Sequence, residues 1–137
     1  MFNPPILKFK KLKKGTFKNK EFNLNSTSLK FGDYGLKLLH KGTLTYPQIE
    51  AARRIIAKNI KGVGKLWIRG LPKTPKTSKP LEFRMGKGKG NVTSWVWNVC
   101  AGTIVFEVSF LRHKLNASEF LLKASKKLPI KSRIIIR

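Results

Sequence analysis

The chain has 137 residues, the length of one ordinary domain, and 41% of them are hydrophobic, enough for a packed core. Thirty Lys and Arg stand against six Asp and Glu, so the net charge of +24 repels itself until a polyanion neutralises it; nucleic acid is the first candidate and an anionic membrane the second. The acids Glu21, Asp33, Glu50, Glu82, Glu107 and Glu119 form no catalytic spacing, Cys100 is alone, and His40 and His113 cannot complete a metal site unaided, so neither catalysis nor a cofactor is expected.

The N-terminus runs Met1-Phe2-Asn3-Pro4-Pro5 and then turns lysine-rich, unlike a secretory signal. No apolar run reaches the roughly 18–20 residues that cross a bilayer, so membrane insertion is not expected. The sequons at Asn25, Asn91 and Asn116 carry no weight without a signal peptide. Abundant Lys, Asn, Ile and Phe, whose codons are AT-rich, fit an organelle or a low-GC bacterium.

Residues 1–27 lack periodicity and carry Lys8, Lys10, Lys11, Lys13, Lys14, Lys18 and Lys20 against Glu21. They are read as a basic extended arm that orders on RNA, the alternative being a solvated tail. Residues 28–137 are read as a single RNA-binding domain. From Ser28 to Lys41 the pattern is strand-like, interrupted by Gly32 and Gly35. Thr45-Tyr46-Pro47-Gln48 then opens a helix, with Thr45 as cap, Gln48 as its capping-box partner and Pro47 in the first turn. Ile49, Ala52, Ile56 and Ile60 form its buried stripe, and Gly62 and Gly64 end it. Arg53 and Arg54 lie beside that stripe, either as solvated charges or as RNA-backbone contacts.

Lys65 to Arg69 alternates and predicts a strand. Residues 72–90, with Pro72, Pro75, Pro80 and basic side chains at Lys73, Lys76, Lys79, Arg84, Lys87 and Lys89, are read as one long basic loop. Its end, Gly86-Lys87-Gly88-Lys89-Gly90, alternates glycine with lysine. Glycine lets backbone N–H groups approach phosphate closely while lysine supplies charge. It is neither a Walker loop nor a dinucleotide fingerprint, because Asn91 and a strand pattern follow it.

Asn91–Cys100 and Thr103–Phe110 are predicted to form a hairpin turning at Ala101-Gly102, with Val99, Trp97 and Trp95 facing Ile104, Phe106 and Val108. In that register the tryptophans pack in the core, and base stacking is the alternative. A second helix starts at Asn116, buries Ala117, Phe120, Leu121, Ala124 and Leu128, and stops at Pro129. Ile130 to Arg137 closes the chain as a strand. The expected class is α+β: one mostly antiparallel sheet with two helices packed on it.

Several motifs in order carry a resemblance. Phe31-Gly32-Asp33-Tyr34-Gly35-Leu36, Gln48 to Arg54, Trp67-Ile68-Arg69, Lys79-Pro80 leading into Arg84-Met85-Gly86-Lys87-Gly88-Lys89-Gly90, and Lys127-Leu128-Pro129-Ile130-Lys131 occur in the spacing of one family. The chain resembles large-subunit ribosomal proteins of the bacterial L-sixteen type, related to the archaeal and eukaryotic L-ten-e proteins, from about Lys8 onward. The resemblance implies a hammerhead-type α+β fold. It also implies a non-enzymatic role on large-subunit rRNA, near the aminoacyl-tRNA site and the peptidyl-transferase centre. Implied partners are that rRNA, aminoacyl-site tRNA and neighbouring large-subunit proteins. Implied RNA contacts are Lys8, Lys10, Lys11, Lys13, Lys14, Arg53, Arg54, Arg69, Lys79, Arg84, Gly86, Lys87, Gly88, Lys89 and Gly90.

The chain departs from the family pattern at Gly70-Leu71-Pro72-Lys73, and residues 16–28 lack the usual Gly/Arg-rich character. With the AT-rich composition, these departures suggest a mitochondrial member. The family start falls at Met1, which suggests a protein made inside the organelle; a plastid or a bacterial cytoplasm is the alternative.

Overall fold

A computed structural model describes residues 11–12, 24–86, 88–110 and 117–137. The class is α+β as expected, with antiparallel pairing throughout, but the strands divide between two sheets. Of the expected arm, residues 11–12 and 24–27 are described, and Leu24–Thr27 forms one helical turn, α1.

Of the region Ser28 to Lys41, read as an interrupted strand, Tyr34–Leu38 forms β1, and a further short strand, β2 (Gly42–Thr45), follows it. The helix α2 (Tyr46–Ile60) starts where its capping chemistry places it, and the Gln48 side-chain oxygen accepts from the Thr45 N–H at 2.9 Å. Its buried residues are the four predicted, Ile49, Ala52, Ile56 and Ile60. Helix α3 (Ala117–Ser125) buries Ala117, Phe120, Leu121 and Ala124, with Leu128 buried just beyond it. Asn116, expected to begin that helix, lies outside the described residues.

The four-stranded sheet runs β3 (Gly64–Ile68), β6 (Ile104–Phe110), β1, β7 (Ser132–Ile136). Registered pairs put Leu36 and Ile68 beside Phe106, and Tyr34 and Leu66 beside Val108, all on one face. These residues join both helix stripes in a single apolar cluster, which is the main core.

The opposite face is covered by the chain entering β1. There Gly35 and Trp67 flank Glu107 in register. Leu29 lies over Gly35, where a Cβ would stand only 2.5 Å from the leucine Cδ2. Phe31 stacks on Trp67 with ring centroids 6.1 Å apart.

The second sheet runs β2, β5 (Asn91–Val99), β4 (Thr74–Ser78). Two expectations are corrected here. First, β5 and β6 do not form a hairpin with each other. A tight turn does follow β5, with Thr103 N–H donating to the Cys100 carbonyl at 3.3 Å and Gly102 at φ +84°. The chain then switches sheets: Gly102 N–H donates to the Leu38 carbonyl at 2.7 Å, and Leu38 N–H to the Thr103 carbonyl at 2.9 Å. The physical reason is in β6 itself. Ile104 through Val108 are all buried, so this strand needs cover on both faces and takes an interior position between β3 and β1. Trp95, Trp97 and Val99 do alternate along β5, but their partners are Pro75, Leu44 and Gly42. Trp97 packs against the core cluster, close to Gly70, where the chain departs from the family pattern.

Second, residues 72–90 are not all loop. Thr74–Ser78 pairs with β5, and Pro75 is tolerated because β4 is an edge strand whose N–H can be spared. The β4–β5 pair is the hairpin, and Lys79 to Gly90 is its tip.

Candidate nucleic-acid interface

The pairing of Ser78 with Asn91 closes the β4–β5 loop at its base. A Cβ at Gly90 would collide with the Ser78 carbonyl, so this glycine is needed for the strands to meet. Inside the loop, Phe83 N–H donates to the Pro80 carbonyl at 3.1 Å and Lys79 Nζ donates to the Gly86 carbonyl at 2.5 Å. Gly86 and Gly88 sit at φ +97° and +83°, a backbone region that other residues resist. Nothing lies within 4 Å of a Cβ added at either, so their surroundings are open. Lys79, Arg84, Gly86, Gly88 and Lys89 are all exposed.

The arm meets this loop. Lys11 Nζ donates to the Lys89 carbonyl at 3.0 Å, and Lys89 Nζ donates to the Leu12 carbonyl. Residues 11–12 of the arm and Lys89 of the loop are thus tied together by two lysine-to-carbonyl bonds. Positive charge from the arm and the loop is gathered in one region, which a bound anion would offset. Lys8, Lys10, Lys13, Lys14 and Lys87, also expected as contacts, lie outside the described residues.

The arginines are placed differently. Arg53 grips Glu50 through two hydrogen bonds of 2.8 Å, and Arg54 reaches the same carboxylate at 3.1 Å. The hydrogen bond from Arg53, opposed by burial and reinforced by Arg54, holds Glu50 down at about 2. These two cations are therefore partly neutralised on α2.

Arg69 is turned inward. Its side chain is 11% exposed and its guanidinium pairs with Glu107, which ties it to the sheet. Glu107 is fully buried and also accepts from the backbone N–H groups of Lys30 (3.1 Å), Phe31 (2.7 Å) and Gly32 (3.0 Å). Burial alone raises its pKa; the bonds from Phe31, Gly32, Arg69 and Lys30 outweigh that and hold it below the usual carboxylate value. Composition and spacing alone give Glu107 no role. Its signal was an acid inside the apolar run Ile104–Phe110, where a charge survives only if partnered.

Among the described residues no group of three or more His, Cys, Asp or Glu could hold a metal, and no helix is long and apolar enough to cross a membrane. Fold and site together define a basic α+β scaffold with an exposed lysine–glycine loop between two paired strands.

Comparison with known proteins makes the assignment specific. Residues 4–135 match the family described as ribosomal protein L16p/L10e, and the chain belongs to it. It is 46% identical over 132 residues to the large ribosomal subunit protein uL16 of Dichelobacter nodosus strain VCS1703A, covering 96% of this chain and 94% of that protein. The chain is therefore a ribosomal protein, with a structural role and no enzymatic one. That relative is bacterial and lends no support to the mitochondrial expectation.

Proposed function

We propose that this chain is a structural constituent of the large ribosomal subunit. In this reading it binds large-subunit rRNA near the aminoacyl-tRNA site and the peptidyl-transferase region and helps to position tRNA. The observation that carries it is the meeting of arm and loop, where Lys11 and Lys89 lie together beside glycines with open surroundings. The contact set is Lys11, Lys79, Arg84, Gly86, Gly88, Lys89 and Gly90, joined by Lys87 and the arm residues Lys8, Lys10, Lys13 and Lys14. Arg53 and Arg54 are secondary contacts, because Glu50 already shares their charge. Neighbouring large-subunit proteins are further partners.

The test is binding of the full chain to its rRNA segment across a salt series. Each lysine that neutralises a phosphate contributes roughly −0.7 to −0.9 to the log–log slope. Lys79→Ala and Lys89→Ala should each flatten the slope by about that amount. An unchanged slope in both variants removes the loop from the interface. Recovery of the native protein free of large subunits at physiological salt would defeat the assignment to the subunit.

A further inference from the structure

Phosphate binding leaves one property of the β4–β5 loop unused. Leu81 and Met85 are fully exposed and Phe83 is 64% exposed, at alternate positions between Lys79 and Lys89. Single exposed apolar residues are ordinary, but a lysine-rich phosphate strip has no need of them. Phe83 stands apart because the bond from its N–H to the Pro80 carbonyl fixes its turn. It lines a cleft of about 130 Å³ together with Gly86, Gly88, Gly90 and the two lysines, Lys79 and Lys89.

The cleft therefore combines an aromatic ring, two cations and the backbone of Gly86 and Gly88, where an added Cβ would meet nothing within 4 Å. A free phosphate would use the cations and the backbone but not the ring. A paired, stacked base could not reach the ring. An unstacked nucleotide uses all three, since any base has a π-face and stacking tolerates any sequence.

We propose that this cleft seats one unstacked nucleotide of single-stranded or looped RNA, with its base on Phe83 and its phosphate between Lys79 and Lys89. The inference rests on the reading of the loop as an RNA contact and names the form of RNA it takes.

The experiment uses the full chain with two probes: an unstructured RNA oligonucleotide of about 12 nucleotides carrying 2-aminopurine, and a blunt RNA duplex of equal length. Phe83→Ala should weaken single-strand binding roughly 5- to 150-fold and abolish the quenching of 2-aminopurine. Duplex affinity, the salt slope and the thermal unfolding midpoint should stay unchanged, and Phe83→Trp should restore both binding and quenching. If Phe83→Ala weakens both probes equally, or neither, while Lys79→Ala and Lys89→Ala still flatten the slope, the nucleotide cleft is wrong and the phosphate contact stands. If the lysine variants leave the slope unchanged, both readings fall.

Discussion

Replacing Glu107 with Gln tests whether one buried carboxylate holds the N-terminal segment on the four-stranded sheet. In the native protein Oε2 accepts from the N–H groups of Phe31 and Gly32, and Oε1 faces Arg69. Gln keeps one acceptor oxygen and turns the other into a donor. Its best placement leaves the oxygen on the backbone amides and aims the NH₂ at Arg69, donor against donor. Arg69, 11% exposed, then becomes a nearly buried cation without its counter-charge. Removing one partner of such a pair costs about 3–5 kcal/mol, a large share of the 5–15 kcal/mol that holds a typical domain together. Denaturant unfolding of Glu107→Gln should show that loss. Hydrogen exchange should show the amides of Phe31 and Gly32 losing protection before the rest of the sheet. Glu107→Gln combined with Arg69→Met should lose less than the sum of the single changes, because the two act as one unit. A loss below about 1 kcal/mol with unchanged exchange at Phe31 and Gly32 would mean the carboxylate anchors nothing.

Acid should find the same groups. Glu50 and Glu107 both titrate below their unfolded value of about 4.3, so their stabilisation is complete above that pH and disappears as the pH falls through the folded values. For Glu50 the window runs from about 4.3 down to about 2. Its partners are solvent-accessible, so Glu50→Gln should lower the neutral-pH plateau by only a few tenths of a kcal/mol, and Glu107→Gln should flatten the acid limb far more. Gly102→Ala places a Cβ at φ +84°, at the turn where the chain changes sheets, and should cost about 1–3 kcal/mol in denaturant unfolding. A neutral outcome would show that the turn relaxes freely. Ile56→Ala, in the middle of the α2 stripe, should cost about 2–5 kcal/mol without altering the salt slope of RNA binding; a changed slope would tie the core to the interface.

By itself the sequence determined the local elements and the kind of partner. The α2 boundaries and stripe were legible because Thr45, Pro47, Gln48 and the spacing of Ile49, Ala52, Ile56 and Ile60 are local signals of helix chemistry. The charge of +24 named a polyanion, and the ordered motifs named the family that the comparisons then showed. Pairing was decided only in three dimensions. Turn chemistry at Ala101-Gly102 suggested a hairpin, yet β6 is buried on both faces and takes an interior place in the other sheet. Thr74-Pro75-Lys76-Thr77-Ser78 has weak strand character and becomes a strand only because β5 presents an edge to it. Nothing local to Arg69 marks its pairing with Glu107, 38 residues away. The placing of Lys11 beside Lys89 likewise depends on residues distant in sequence. Helix caps and stripes are encoded within a few residues; strand partners and buried ion pairs are set by which distant surfaces can be covered together.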